Sequence, residues 1–331
     1  MEFKKIVKNG VEYRFDPLIY DQCRINPARA RRVKQAGGGL ELRKVIEETR
    51  KTCPFCPEHL EERTPKFAGE ICEEGRIKLG ETLIFPNLNP FGANHAVGII
   101  SRAHFLDLDE FNVKLLRDNL AASKDYILSI YGKDKEAAWP IYIWNHMPPS
   151  AGSIIHPHVQ ILVESQPLPM QAELLRKGEE YLNLNGRNYW QDLVEEEREL
   201  SQRFIHDSDC LSVIASFAPR GFNEIQFIFK EASSLAELEE RQINDFADCV
   251  VKALKGYKGI GVGSFNLATF SGPVDKKLDY YRLNVKLISR PYPGALYTSD
   301  TGPSERLYNV WVIDTLPELL AEKLGPLFGP E

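Results

Sequence analysis

Apolar and polar positions along the chain follow patterns that predict short strands separated by helices. In the first half, apolar and β-branched runs are bounded by Pro, Asn and Gly, which is typical of strands. These predicted strands lie at residues 80–91, 95–104, 139–145 and 156–165. Between the second and third strands, apolar residues recur at helical spacing up to Gly132, and we expect Asp107 or Asp109 to cap that helix. A linking helix is predicted near residue 170, and the segment before about residue 50 is expected to be loose and basic.

The same order of elements recurs after about residue 200. The recurring segments lie at residues 210–219, 223–238, 239–255, 263–270 and 281–290, and the third of these is the helix. Short strands can resemble each other by chance, but a shared order over roughly eighty residues favours a duplicated unit. That unit reads strand–strand–helix–strand–strand.

Aligning the two copies sets HPHVQ (156–160) against RLNVK (282–286). The matched positions are His156 with Arg282, His158 with Asn284, and Gln160 with Lys286. The second copy has therefore lost both histidines. We expect one reactive centre per chain, in the first copy.

Composition adds limits to this picture. The chain has 331 residues, of which 43% are hydrophobic and 27% charged, with a net charge of −6, as in a globular protein of one large or two ordinary domains. Without a long basic run, nucleic acid is not an expected partner, and no apolar run approaches the roughly eighteen residues of a membrane helix. The first ten residues lack the apolar region of a secretory signal, and the cysteines outside CPFC are few and scattered. A cytoplasmic location is expected.

CPFC places Cys53 and Cys56 at the spacing of a zinc knuckle. A thioredoxin-like redox pair is one alternative, although the strand-then-helix context is missing, and two ordinary loop thiols are another. Zinc takes four ligands and the sequence has no second CxxC, so histidines must complete the site. The candidates are His59, His95, His104 and His156. By default His59 and His95 are expected to be ordinary surface or core residues.

HPHVQ carries the second chemical signal. Residues two apart on a strand share a face, so His156, His158 and Gln160 line one side. A neutral imidazole, with an ordinary pKa near about 6.5, is a good nucleophile toward phosphorus and can form a covalent intermediate. The glutamine amide can donate a hydrogen bond to a phosphoryl oxygen. The alternative is two exposed loop histidines.

The loop just upstream, NHMPPSAGS (145–153), strengthens the phosphate interpretation. It supplies Asn145, Ser153 and two small residues, Ala151 and Gly152. Small residues allow backbone N–H groups to approach a phosphate closely.

Together these motifs resemble the galactose-1-phosphate uridylyltransferase family, within the histidine-triad superfamily. That family carries Asn-x10-HPHxQ with a Gly-x-Ser before the HPH. Here Asn145 stands eleven residues before His156, and Ser153 stands three before it. Ala151 occupies the family's glycine position, with Gly152 adjacent. Relatives of the family include plant ADP-glucose phosphorylase and diadenosine-polyphosphate phosphorylases.

The N-terminal stretch DPLIYDQCRINPARARRVK (16–34) is similar to the family's DPL…SPHRAKRP pattern. Arg29 and Arg32, in the cluster ARARR (28–32), match the phosphate-binding arginines of the family. Phosphate binding explains this cluster better than nucleic-acid binding does. The substrate-binding residues implied by the resemblance are Arg29, Arg32, Asn87, Asn89, Asn145 and Gly152. The implied catalytic residues are His158 as nucleophile, Gln160 and Ser153. The implied zinc ligands are Cys53, Cys56, His104 and His156.

The resemblance implies an α+β fold of two histidine-triad-like units, each an antiparallel sheet with helices packed on it. We place the first unit, with the zinc site and the nucleophile, at residues 1–195 and the degenerate second unit at 196–331. It also implies a homodimer in which the partner's C-terminal segment helps to hold the sugar phosphate.

Two departures from the family matter. RLNVKLISR (282–290) replaces the family's HxHxxxxPR strand, part of an iron site in some members, so we expect no second metal. ALYTSDTGPSERLYNV (295–310) replaces the family's C-terminal sugar-contact motif, KFMVGYE. The identity of the acceptor is therefore open.

Three functions follow as hypotheses. The first is a nucleotidylyltransferase that moves a nucleoside monophosphate between a nucleotide sugar and a sugar 1-phosphate by ping-pong. The second keeps the same nucleophile but uses inorganic phosphate as acceptor, as in a phosphorylase of ADP-glucose or a dinucleotide. The third is a zinc-braced nucleotide-binding protein without turnover, against which the retained histidine pair and glutamine argue.

Overall fold

The protein is described by a computed structural model that covers residues 1–32 and 41–329. Its strands are β1 (Lys5–Lys8), β2 (Val11–Phe15), β3 (Gln22–Ile25), β4 (Ile77–Leu79), β5 (Thr82–Pro86), β6 (His95–Ile99), β7 (Trp139–His146), β8 (His158–Glu164), β9 (Phe204–Asp207), β10 (Leu211–Ala215), β11 (Phe222–Phe229), β12 (Phe265–Phe270), β13 (Asn284–Ser289) and β14 (Val310–Ile313). Its α-helices are α1 (Leu42–Arg50), α2 (Pro57–Arg63), α3 (Val113–Lys133), α4 (Pro169–Asn185), α5 (Tyr189–Leu200), α6 (Glu240–Gly259), α7 (Pro303–Tyr308) and α8 (Pro317–Leu324). The predicted α+β class is confirmed. None of these helices, within the ranges covered, is long and apolar enough to cross a membrane.

Ten strands form one sheet in the order β4-β5-β6-β8-β7-β12-β13-β11-β10-β9. Every neighbouring pair in it is antiparallel. The order is symmetric about its centre when β5–β8 and β10–β13 are treated as copies of one unit, as duplication predicts. The copies meet at β7 and β12, so the two predicted sheets are joined into one.

The main core lies between one face of this sheet and the helices α3 and α6. In β8, Val159 and Ile161 point into that core, while Val285 and Leu287 of β13 do the same in the second copy. The opposite face of the second copy is covered by α4 and α5 through a separate apolar cluster. Because strand residues alternate between faces, the polar residues of β8 project away from the main core.

The predicted central helix is α3, but it begins later than expected. Asn112 caps it, because its side-chain oxygen accepts a hydrogen bond from the backbone N–H of Leu115 at 3.0 Å. Asp107 lies upstream and accepts instead from the N–H of Leu108 at 2.7 Å. Apolar periodicity alone does not locate the capping residue.

Residues 33–40 of the segment expected to be loose lie outside the described ranges, and the described part of that segment is largely folded. Strands β1, β2 and β3 pair antiparallel, and β14 adds to β3 in parallel, so the two ends of the chain form a second sheet of four strands. Arg14 of β2 is buried and donates to Glu12 at 2.8 Å and to Glu318 of α8 at 2.8 Å. The prediction was wrong because the partner that orders β3 lies at the other end of the sequence.

Candidate active site

Four buried side chains converge where α2 begins, close to the end of β6 and the start of β8. They are Cys53, Cys56, His104 and His156, and their potential ligand atoms all lie within 4.8 Å of one another. The Cys56 Sγ is 3.3 Å from Nδ1 of His104 and 3.7 Å from Nδ1 of His156. A tetrahedral zinc ion with ordinary bond lengths separates sulfur and nitrogen ligands by roughly 3.6 Å. The donor set therefore fits a metal ion.

Hydrogen bonds on the far sides of the two imidazoles fix their tautomers. Nε2 of His156 is 2.7 Å from the carbonyl oxygen of Ser101, which can only accept. Nε2 of His104 is 3.0 Å from the hydroxyl of Thr49, whose own hydrogen is donated to the carbonyl of Val45 at 2.8 Å. Both Nε2 atoms therefore carry the proton, and both Nδ1 lone pairs face the thiols.

Burial also sets the protonation of this cluster. It lowers the pKa of His156 to about 4 and lowers the pKa of His104 below its usual value, so both rings are neutral at pH 7. Burial, and then the neighbouring Cys53, raises the pKa of the Cys56 thiol to about 12. Thiolate ligands at this place therefore need a bound cation to compensate their charge.

The structure also separates the histidine candidates. His59 is half-buried on α2, with its Nε2 at 3.1 Å from the carbonyl oxygen of Lys51, and it is not in the cluster. His95 is buried at the start of β6 and has other partners. Within the described ranges, CPFC is completed by His104 and His156 alone.

His158 opens β8, two residues after the cluster histidine. Its Nδ1 lies 2.7 Å from the backbone carbonyl of His156, so Nδ1 carries the proton and Nε2 keeps a free lone pair. Burial lowers the pKa of the ring below its usual value, so the ring is neutral at pH 7. The ring of Phe55, which stands between the two cysteines, meets the His158 ring edge-on with centroids 5.2 Å apart. The CPFC loop thus packs directly against the nucleophile candidate.

Gln160 is held by a residue that sequence reasoning missed. The Gln160 side chain interacts with His95, whose Nδ1 accepts the backbone N–H of Phe91 at 3.3 Å and whose Nε2 lies 3.1 Å from Nδ2 of Asn87. Alternation could have revealed this link, because His95 pairs with Leu162 of β8 and so shares a face with Gln160. Gln160, His95 and Asn87 form one connected row.

The loop between β7 and β8 is tight. Met147 and Ala151 both have φ of 70°, a conformation that non-glycine residues rarely adopt. A Cβ added to Gly152 would lie 2.9 Å from the backbone oxygen of Asn145, so only glycine fits there. Ser153, the predicted catalytic serine, is exposed at the end of this loop.

Three predicted substrate residues lie away from these contacts. Arg29 is exposed and Arg32 half-buried at a 3-10 turn that begins at Pro27, just before the undescribed residues 33–40. Asn89 is exposed and donates its backbone N–H to Asn87. No hydrogen bond or ion pair of the covered residues joins either arginine to β8, and their roles stay predictions.

The matching positions of the second copy hold other side chains. Asn284 opens β13 as His158 opens β8, and its amide donates to the carbonyl of Arg282 at 3.1 Å, just as the His158 ring donates two residues back. Lys286, the counterpart of Gln160, is paired with Glu224 at 2.8 Å. The geometry of the strand is kept while the imidazoles are gone.

No known family model matches the chain. It is 27% identical over 326 residues to an uncharacterised protein of Archaeoglobus fulgidus, covering 98% of this chain and 94% of the relative. An ADP-glucose phosphorylase from Arabidopsis thaliana with bound ADP-glucose has a similar structure, with TM-score 0.74, 19% identity, and coverage of 95% of this chain and 98% of that one. A uridylyltransferase structure matches with TM-score 0.69, 20% identity, and coverage of 96% and 98%. These likenesses show that the chain has the fold that the resemblance implies.

Proposed function

We propose that this chain is a nucleotidyl-transferring enzyme of the galactose-1-phosphate uridylyltransferase family, working by ping-pong through a covalent nucleotidyl-His158. A fold shared with a uridylyltransferase and an ADP-glucose phosphorylase supports the reaction class. The observation that carries the proposal is the ring of His158, which is neutral, buried and fixed with its Nδ1–H on the His156 carbonyl. Such a ring offers Nε2 as a nucleophile without a separate base.

In the first half-reaction, Nε2 of His158 attacks the α-phosphorus of a nucleoside diphosphate sugar. The P–N bond forms as the P–O bond to the sugar 1-phosphate breaks, and the bonding electrons leave with that phosphate. In the second half-reaction, a phosphate oxygen of the acceptor attacks the same phosphorus. The P–N bond then breaks and Nε2 recovers its lone pair.

The surrounding residues have supporting roles in this scheme. Gln160, Ser153 and the backbone N–H of Gly152 stabilise negative charge on the transferred phosphoryl group, because Pro148 and Pro149 have no N–H and the N–H groups of Ser150 and Ala151 donate within the loop. Asn145 and Gly152 contact the same group, and Asn87 and Asn89 hold the nucleoside. Arg29 and Arg32 bind the phosphate of the leaving or incoming sugar 1-phosphate.

We propose zinc as the ion of the Cys53, Cys56, His104 and His156 cluster, because two thiols and two imidazoles are a typical structural zinc set. All four ligand positions are filled by protein, so the ion braces the loop that carries Phe55 rather than binding substrate. The packing of Phe55 on His158 transmits that brace to the nucleophile.

Phosphorolysis is the second candidate. The segment 295–310 does not resemble the family's sugar-contact motif, and the similar phosphorylase structure holds ADP-glucose. In this alternative, inorganic phosphate replaces the sugar 1-phosphate as acceptor, while the first half-reaction is unchanged.

We further propose that the chain acts as a homodimer in the cytoplasm. Leu296, Leu307 and Tyr308 are highly exposed, at 69%, 78% and 77% of their surface, and they lie in the segment that contacts the partner's substrate in the family. All six cysteines are free thiols, which suits a reducing compartment. We propose units at residues 1–195 and 196–331, with one reactive centre per chain in the first unit, because the second has lost both histidines.

The test is a donor–acceptor matrix. UDP- and ADP-glucose are offered as donors, each with galactose 1-phosphate or inorganic phosphate as acceptor, and initial rates are analysed for parallel ping-pong lines. His158→Gly abolishes turnover, while His206→Gly, a half-buried histidine of β9, retains it. Wild-type rates in folded His158→Gly protein would overturn the proposal.

A further inference from the structure

Asn266, in the second unit, reaches across into the proposed site of the first. It lies on β12 directly opposite Asn145 of β7. Its Nδ2 donates to Oδ1 of Asn145 at 2.6 Å and to the backbone carbonyl of Ser150 at 2.8 Å. Its Oδ1 accepts from Nη1 of Arg290 at 2.8 Å. Both donor hydrogens and the acceptor oxygen of this amide are therefore in use.

The chemistry of these neighbours allows only one orientation of the Asn266 amide. A guanidinium can only donate, and a backbone carbonyl can only accept. Turning the amide over would set its oxygen against the Ser150 carbonyl and its NH₂ against Arg290. The orientation is thus fixed from both sides.

The fixed Asn266 amide in turn orients Asn145. Since Asn266 presents an N–H to it, Asn145 must turn its own oxygen toward Asn266. Its NH₂ group is then directed away, and no other residue in the described ranges accepts a hydrogen bond from it. Asn145 therefore presents a donor.

That donor stands beside the nucleophile candidate. Trp144 pairs with Val159 across β7 and β8, so the next position sets Asn145 next to His158 on the same face. Directly opposed residues of antiparallel strands have their Cβ atoms about 5 Å apart. A phosphoryl group attached to His158 would lie within reach of the Asn145 NH₂ group.

Arg290 is itself held in place from the C-terminal segment. Its Nε and Nη2 donate to the two carboxylate oxygens of Asp300 at 2.7 Å and 2.6 Å. Asp300 lies within 295–310, the stretch that departs from the family motif. A chain of side chains thus runs from that segment through Arg290 and Asn266 to Asn145.

We propose that Asn266 is a positioning residue for phosphoryl transfer, which fixes Asn145 so that its NH₂ group donates to a non-bridging oxygen of the α-phosphate at His158. The inference rests on the proposed function, because it assumes that a phosphoryl group is transferred to His158. Asn266 need not touch the substrate. Its effect is to decide whether Asn145 offers a hydrogen or a lone pair to the developing negative charge.

The test is Asn266→Asp, which keeps the shape and the bond from Arg290 but removes both donors. Asn145 then turns its NH₂ toward the new carboxylate and its oxygen toward the phosphate. Formation of nucleotidyl-His158 in a single turnover is expected to slow on the order of 100-fold, as for loss of one oxyanion donor, while the Kd for the nucleotide sugar changes less than about threefold. Asn266→Ala merely releases Asn145. It is expected to slow formation of nucleotidyl-His158 less than Asn266→Asp does.

The control is Asn188→Asp, because Asn188 caps the remote helix α5 and its Nδ2 donates to the carbonyl of Asp279 at 2.8 Å. This variant loses the same kind of hydrogen bond and is expected to form nucleotidyl-His158 at the wild-type rate. The inference is overturned, and the proposed function is not, if folded Asn266→Asp forms nucleotidyl-His158 at the wild-type rate. The same holds if Asn266→Ala forms it more slowly than Asn266→Asp. Wild-type protein that never labels overturns the proposed function as well. If Asn266→Asp does not fold, Arg290→Gln must slow labelling several-fold, and an unchanged rate overturns the inference.

Discussion

Replacing Thr49 by valine is expected to weaken metal binding roughly 10- to 100-fold, although Thr49 is not a ligand. Its hydroxyl accepts the Nε2–H of His104 at 3.0 Å, on the side of the ring opposite the thiols. Valine has the same shape but no acceptor, so the buried N–H of the ligating ring is left unpaired.

The magnitude follows from that lost hydrogen bond. An unpaired buried donor costs about 1–3 kcal/mol, and each 1.4 kcal/mol is about a tenfold change in an equilibrium constant. In the metal-free protein the His104 ring can turn toward other partners, so most of the cost falls on the metal-bound state. The loss of the Thr49 bond to Val45 inside α1 affects both states equally and cancels from the metal affinity.

The assay is competition for zinc between the protein and a chromophoric chelator at pH 7. Ser129→Ala is the matched control, since that hydroxyl donates to the Asp125 carbonyl at 2.9 Å within α3 and touches no histidine. A zinc Kd unchanged in Thr49→Val would refute the assigned tautomer of His104 and with it the orientation of the metal-binding ring.

Three further predictions concern stability, the loop and the ring contact. Burial raises the pKa of Glu197 from 4.5 to about 7 against the opposing effect of Arg203, so this carboxyl contributes stability below pH 4.5 that is lost as pH rises through 7. Between pH 4.5 and 8, the free energy of unfolding in urea should therefore rise by up to about 3 kcal/mol in Glu197→Gln relative to wild type. If the free energies of unfolding of the two proteins change with pH in parallel, the prediction is contradicted. Gly152→Ala would place a Cβ 2.9 Å from a backbone oxygen, and it should slow turnover at least about tenfold while α-helix content by circular dichroism stays unchanged. Phe55→Leu removes the ring edge packed on His158, worth about 1 kcal/mol, and should slow intermediate formation roughly fivefold at full zinc occupancy; an unchanged rate would show that this contact does not position the nucleophile.

The parts of the fold that sequence reasoning reached are those encoded by local alternation. β5, β6 and β8 fall inside predicted strands and β7 exceeds its prediction by one residue, because each carries its own apolar pattern and its own turn residues. The repeat of that order in the second half led to the duplicated unit. The small sheet was missed, since β14 takes its role only from pairing with β3 at the other end of the chain. The cap of α3 was missed although it is local, because Asn112 bonds the N–H of Leu115 while the upstream aspartates looked equally able to cap.

In the candidate site, too, residues with a local motif were predicted, and residues recognisable only from contacts across the fold were missed. CPFC, His104 and His156 were selected through a motif and a resemblance, and the fold brings their ligand atoms together. His95 was given a structural role by default, because a lone histidine has no local signal, yet it holds Gln160 from the neighbouring strand. Asn266 was beyond sequence reasoning altogether, since its contact with Asn145 exists only where the two units meet.

The central claim, a covalent nucleotidyl group on His158, can be measured directly. The protein is mixed with a nucleotide sugar in the absence of acceptor, quenched, digested and mapped by mass spectrometry under conditions that preserve phosphoramidates. We predict that the peptide carrying HPHVQ gains the mass of one nucleoside monophosphate group at His158, and that adding acceptor removes it. Turnover without any such adduct, or an adduct located on another residue, would contradict the account.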